Sequence, residues 1–400
     1  MNNIHINQTS LYIHIPFCQS ICSYCDFYKM IAKSNVKDKY IDYLIKELKL
    51  KQSLLKNLKT IYIGGGTPTS LSLLQLEKLL SHIDNYIDNN LIEYTIEANP
   101  HDLTLDMCNL LKKHHINRVS MGLQATTLSK LQLLNRNHTF IDAKNACDNL
   151  IKAGITNINI DYMYAIEGDS IKSINEELDL ILTLPITHIS SYSLILEEHT
   201  ILYNKYKNNT FKLIDEDLES QMYYFICDKL INSGFEHYEI SNFSLKNHRS
   251  HHNIVYWKNL PYVAVGANSS GYLIKNDIHI RYTNINNLSK YYNYIDNYID
   301  ISNYNDNINN CNLYEYNKLE TLDILDNYIM LGLRIKDGIS LTQIKTYLDE
   351  KRYNDFIKEV TYLYNNNLII YVSENTIAIN PNKYYISNSI ILRLLDSYKD

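Results

Sequence analysis

Three cysteines fall within eight residues: Cys18, Cys22 and Cys25, in the segment Tyr-Ile-His-Ile-Pro-Phe-Cys-Gln-Ser-Ile-Cys-Ser-Tyr-Cys-Asp-Phe that starts at Tyr12. Thiolates spaced four and three residues apart can close on one metal centre from a single loop. Soft sulfur ligands select iron–sulfur clusters or zinc over harder ions. A structural zinc site takes a fourth Cys or His, but Asp26 and Phe27 follow the third cysteine. Three ligands on a four-iron cluster leave one iron open to a further ligand. The remaining cysteines, Cys108, Cys147, Cys227 and Cys311, are isolated in apolar or helical patterns and read as inert thiols. Seven cysteines in 400 residues, so unevenly placed, do not make a disulfide framework.

A second set of polar groups lies where apolar runs end. Gly64-Gly65-Gly66-Thr67-Pro68 follows one run, and its glycines let backbone amides approach a polar ligand. Glu97 ends the next run in Ile-Glu-Ala-Asn-Pro, Gln124 ends another, and Asp161 lies near the end of a third. Arg136 sits in Leu-Asn-Arg-Asn-His. Alone, each reads as a capping carboxylate, a surface amide or a solvated arginine. Together they set polar groups on one rim.

The elements that must position them are short β-branched runs over 11–15, 60–63, 93–97, 118–121, 157–163 and 188–196. Helical periodicity separates them: Tyr40, Ile41, Leu44, Ile45 and Leu48; then Leu73, Leu76, Leu79 and Leu80; then Ala143, Ala146, Leu150 and Ile151, closed by Gly154. Strand–helix alternation means βαβ units on a parallel sheet. Six units predict an α/β fold, a partial (β/α)6 barrel related to the eight-fold one, with ligands at the C-terminal ends of its strands. Three segments follow: a core barrel over 1–245, a connector over 246–313 carrying His251, His252 and Trp257 and an Asn/Tyr-rich stretch, and a small α+β domain over 314–400. No regular structure is expected of the stretch 282–313.

Composition narrows the function class. Apolar residues make up 45% and charged residues 20%, an ordinary globular balance. The net charge of −6 forms no basic stripe, which argues against nucleic acid as a partner. No run approaches the roughly 18 apolar residues of a membrane span. Residues 1–10 lack the apolar core of a secretory signal, and the expected compartment is the cytosol. The 36 tyrosines read as background bias.

The cysteine spacing, with Tyr24 just before the third cysteine, resembles the radical S-adenosylmethionine (SAM) superfamily. The resemblance implies a 4Fe–4S cluster on Cys18, Cys22 and Cys25, with SAM on the open iron and reductive cleavage to a 5′-deoxyadenosyl radical. It implies a SAM site formed by Tyr12, Tyr24, Gly65, Gly66, Thr67, Glu97, Gln124, Arg136 and Asp161. A carboxylate there would hold ribose hydroxyls and the arginine the SAM carboxylate. His14 reads as a supporting residue.

Longer stretches narrow the family. Tyr12-Ile-His-Ile-Pro, Glu-Ala-Asn-Pro, Val-Ser-Met-Gly-Leu-Gln, Tyr-Glu-Ile-Ser-Asn-Phe at 238–243, His252-Asn-x-x-Tyr256-Trp257 and Met-Leu-Gly-Leu-Arg at 330–334 resemble the oxygen-independent coproporphyrinogen oxidase-like family. True coproporphyrinogen III dehydrogenases carry a fourth cysteine two residues beyond the third; here that position is Phe27. The Cys-Asp-Phe ending and the His-Asn-x-x-Tyr-Trp motif resemble the haem chaperone branch, HemW. That resemblance implies haem as a ligand, with His252 as axial ligand and Tyr256 and Trp257 along the porphyrin face. The implied partners are a haem-accepting protein, in solution or at a membrane, a low-potential electron donor, and a second copy of the chain in a homodimer. The competing reading is radical oxidative decarboxylation of coproporphyrinogen III. Two departures stand out: Ala165-Ile-Glu-Gly168 replaces a usual Gly-Leu-Pro turn, and Asn268-Ser-Ser270 stands where a Gly-Ala-His stretch usually ends.

Overall fold

The structure is a computed structural model that describes residues 9–275, 277–297 and 315–399. Six strands run parallel, each bonded to the next: β1 (Thr9–Ile15), β2 (Leu58–Gly65), β3 (Glu93–Ala98), β4 (Arg118–Gln124), β5 (Asn157–Tyr164) and β6 (His188–Ser193). Antiparallel β7 (Glu236–His237) and β8 (Asn242–Ser244) extend the sheet beyond β6. At the other edge β9 (Val263–Val265) pairs parallel with β1. The sheet therefore recruits a strand from the segment read as a connector.

Side chains alternate between the two faces of each strand. One face is apolar: Ile61, Ile63, Ile96, Val119, Met121, Ile158 and Ile160 are buried against the crossover helices. These are α1 (Ser34–Leu50), α2 (Leu73–Ile83), α3 (Leu105–Lys113), the short α4 (Leu128–Leu133), α5 (Phe140–Lys152) and α6 (Ile171–Ile181). The other face is polar, and inward groups of five strands line one cavity, so the sheet curves around it.

Local chemistry starts and stops these helices. Ser72 accepts the Gln75 amide while the Gln75 side chain returns to the Ser72 amide, a capping box that fixes the start of α2. Leu76, Leu79, Leu80 and Ile83 then bury one face, each at roughly 1.5–3 kcal/mol. Thr139 and Asp142 make the same box for α5, and Gly154 follows it in the left-handed region at φ +83°. Ile151 turns outward and is 40% exposed, so the buried stripe of α5 is Ala143, Ala146, Cys147 and Leu150.

Beyond β6 come α7 (Ile201–Lys207), α8 (Glu216–Asn232) and α9 (His251–Trp257). The stretch for which no regular structure was expected forms part of an antiparallel sheet, Ser270–Lys275, Ile278–Thr283 and Glu315–Lys318, and a helix, α10 (Leu288–Asp296). Tyr291 and Tyr292 of α10 pack on Tyr40 and Tyr43 of α1, which is why a tyrosine-rich, low-complexity sequence still orders. Cys311 and residues 1–8 lie outside the described residues. A C-terminal unit combines a small antiparallel sheet (Ile339–Ser340, Thr376–Ile379, Ile369–Ser373) with helices Thr321–Gly332, Glu350–Asn365 and Ser387–Asp396. It joins the barrel through Ile240 N–H to Arg334 O and Lys336 N–H to Tyr238 O, with Arg249 bridging Glu236 and Asp337.

Candidate functional site

The cysteine loop is fixed at both ends and in the middle. Cys18 donates its amide to Met30 O and Met30 donates to Pro16 O, so the loop leaves and rejoins the same place. Ser23 donates its amide to Leu134 O and its hydroxyl to Leu133 O, which ties the loop to the end of α4. Cys18, Cys22 and Cys25 all line one cavity of about 550 Å³ at the C-terminal ends of β2–β6. Burial pushes the Cys18 thiol up to about 11, opposed by the Thr67 hydroxyl, and it raises Cys25 as well. A metal reverses that preference, because a ligated thiol is deprotonated. Among the described residues no three His, Cys, Asp or Glu converge tightly enough for a single ion. The ligands of a multi-iron cluster stand further apart.

The glycine loop forms the next wall. Gly65 adopts φ +116°, which an L side chain rarely adopts, and its amide donates to Glu97 Oε2 at 3.0 Å. A Cβ on Gly66 would stand 2.8 Å from Phe17 O and 3.0 Å from Cys18 Sγ, so only glycine lets the loop lie against the cysteine. Glu97 also accepts from Tyr62 O–H at 2.8 Å. Burial pushes Glu97 up to about 7; the Tyr62 and Gly65 donors oppose the shift and nearby Asp161 adds to it. Asp161, raised chiefly by burial, accepts from Asn159 Nδ2 at 2.7 Å.

Arg136 donates to Asn99 Oδ1 at 2.7 Å and to Tyr24 O–H at 2.8 Å. Its buried Nε has no partner among the described residues, a donor free for a ligand. Gln124, at φ +67°, accepts from Tyr192 O–H at 2.6 Å. A Cβ on Gly122 would come within 3.1 Å of Gln124 Nε2 and 3.3 Å of an Arg136 nitrogen, so Gly122 makes room for both. These residues fit the groups expected of them: thiolates for iron, a glycine cradle, and carboxylate, amide and guanidinium for a charged nucleoside.

Of the expected SAM residues, Tyr24, Gly65, Gly66, Thr67, Glu97, Gln124, Arg136 and Asp161 share this cavity. Tyr12 stands behind it and donates to His14 Nδ1 at 3.0 Å, while His14 Nε2 meets Tyr28 O. The sequence reading missed Tyr62, Asn99, Arg118, Ser120, Ser190, Tyr192 and Asn253, which line the same cavity. For those on strands the signal was present as polar residues at two-residue spacing inside apolar runs, as in Arg118-x-Ser120-x-Gly122-x-Gln124; Asn99 follows β3 and Asn253 lies on α9, and neither carried such a signal.

The expected haem residues lie on α9, near the N-terminal ends of the strands, and Asn253 of the same helix lines the cavity. The Glu93 carboxylate accepts the first amides of α9, from His251 at 2.7 Å and His252 at 3.0 Å. His252 is fully buried, its Nδ1 bonded to Thr60 Oγ1 at 2.7 Å and its Nε2 to Tyr256 O–H at 2.9 Å. Burial lowers it to about 3, so the imidazole is neutral. Neither nitrogen is free for an iron while α9 plugs the barrel floor. Trp257 packs near the Arg334 guanidinium, and its buried Nε1 has no partner among the described residues. Of the two departures, Ala165 holds φ +58° and Asn268 φ +61°; neither lines the cavity.

The sequence matches the radical SAM superfamily over residues 12–181. It is 35% identical over 390 residues to the heme chaperone HemW of Lactococcus lactis, covering 96% of this chain and 97% of that one. Identity to the Bacillus subtilis heme chaperone HemW is 37% over 268 residues, 66% of this chain and 71% of the other. Among solved structures, coproporphyrinogen III oxidase (HemN) from Escherichia coli, a radical SAM enzyme, superposes with a TM-score of 0.79 at 19% identity. That match covers 97% of this chain and 90% of HemN. The superfamily implies a 4Fe–4S cluster and SAM, and the cavity holds donors of the right kind for both. The chain belongs to the HemW family, a branch of the HemN-like radical SAM proteins.

Proposed function

We propose that this chain is a haem chaperone that binds haem and passes it to an acceptor haem protein, with the cluster and SAM governing loading or release. The observation that carries this reading is Phe27. It stands 71% exposed on the cavity rim, where coproporphyrinogen dehydrogenases carry a further cysteine. An exposed phenyl ring beside the cysteine loop suits a planar apolar ligand and cannot replace a thiol. Relatives that span the chain carry the name heme chaperone. The acceptor protein, a low-potential electron donor and a homodimer belong to the same proposal. Among the described residues no helix is long and apolar enough to cross a membrane.

His252, Tyr256 and Trp257 remain the haem contacts implied by the family motif. Ligation by His252 requires α9 to leave the floor and release Thr60 and Glu93. The test is an anaerobic haem titration of the cluster-loaded protein, followed by absorbance, with wild type and His252→Ala. A saturable Soret band near one haem per chain supports the chaperone reading. Weakened binding in His252→Ala means that α9 moves; unchanged binding puts the ligand elsewhere. No specific haem binding, together with turnover of coproporphyrinogen III by SAM and a reductant, overturns the reading in favour of the dehydrogenase.

A further inference from the structure

Arg118 is the first residue of β4, the strand between those that carry Glu97 and Asp161. Its Cα pairs with Thr95, two residues before Glu97, and with Asn157, four before Asp161. The long side chain thus starts below both carboxylates and lines the cavity that they share. It is only 2% exposed. Among the described residues it makes no ion pair, and its buried Nε has no hydrogen-bond partner. A buried guanidinium without a direct partner costs several kcal/mol, so its environment must favour positive charge.

The groups around it supply the reason. Glu97 faces Tyr12 from β1, Tyr62 from β2, Arg118 from β4, Asp161 from β5 and Tyr256 from α9. Asp161 faces Asn159, Ser190, Tyr62, Tyr192, Arg118 and Arg136. Two carboxylates in one low-dielectric cavity repel, and without a cation one of them takes a proton. Arg136 is already engaged by Asn99 and Tyr24. Arg118 acts on both carboxylates, with Arg136 acting on Asp161 as well.

We propose that Arg118 is a positioning residue for SAM: its charge favours the ionised forms of Glu97 and Asp161, so that above neutral pH both accept hydrogen bonds from the bound nucleoside. The proposal rests on the reading of this cavity as the SAM site. Protonation of Glu97, held near 7, removes an acceptor, so affinity falls as pH drops through that value. Without Arg118 the fall begins at higher pH.

The test is equilibrium dialysis of labelled SAM against the cluster-loaded full chain between about pH 6 and pH 9, for wild type, Arg118→Met and Arg118→Lys. Arg118→Met is expected to move the midpoint up by about half a unit, a loss of about two- to threefold near neutral pH that is recovered at high pH. Arg118→Lys is expected to keep the wild-type midpoint. If Arg118→Met fails to fold, Arg118→Gln repeats the test with a side chain that water can solvate in the cavity. A neutral variant whose profile runs parallel to wild type overturns the proposal, as does a Lys variant that shifts like Met. Wild type that binds no SAM at any pH overturns the SAM-site reading instead.

Discussion

Arg136 and Cys22 line the same cavity, and the geometry separates their roles. Arg136 spends two nitrogens on Asn99 and Tyr24 and keeps a third buried and free. A hydrogen bond to a charged group contributes about 1.5–3 kcal/mol. Arg136→Ala is therefore expected to weaken SAM binding by at least about tenfold, while iron content after anaerobic reconstitution stays at the wild-type level. Cys22→Ala is expected to lose the 4Fe–4S absorbance altogether; a full cluster in that variant would sink the ligand assignment. At this scale the sequence was legible where residue types are rare or clustered, as with the cysteines, the glycine run and Arg136. Tyr62, Arg118 and Tyr192 escaped because the polar signals stood at the C-terminal ends of the strands, whereas these groups enter the cavity from other positions along them. A two-residue rhythm of polar side chains would have found them.

Glu93 shows how one element holds another. It begins β3, and its carboxylate takes the two leading amides of α9 while accepting from Thr95 Oγ1. Removing a buried acceptor strands those donors. Glu93→Ala is expected to destabilise the chain by about 2–4 kcal/mol and to speed amide exchange across α9, with the βα crossovers unaffected. Equal melting and exchange in the two proteins would mean that α9 is held by packing alone. The six parallel strands and three of the crossover helices were readable because periods of 2 and 3.6 residues are strong signals. The contribution of β9 to the barrel sheet was not readable: three residues pair with β1 from more than two hundred positions away, and no local pattern carries such a pairing. The Ala165 turn was readable only as a departure. Ala165 takes a left-handed φ of +58° there.

Taken whole, the molecule is two units joined along a buried seam. Glu239, 1% exposed, bridges to Ile335 at that seam. Burial raises its carboxyl to about 7, against the Asn242 and Ser241 donors that oppose the shift. The folded state thus holds this proton more tightly than the unfolded chain. The associated stability is present at acid pH and is lost as pH rises through about 7. Glu239→Gln, which stays neutral, is expected to exceed wild type in denaturant stability above neutral pH and to match it in mild acid. A constant difference across that range would mean that Glu239 does not titrate at the seam. The position of β1 has a consequence for synthesis. Ile13 lies between Ile63 and Val265, so the strand that leads into the cysteine loop has one neighbour close in sequence and one far away. At translation rates of about 5–20 residues per second, the far neighbour emerges roughly 13–50 s after β1. The cysteine loop thus emerges well before the strand that leads into it gains its second neighbour. During that interval the nascent loop is open to iron delivery and to oxidation alike.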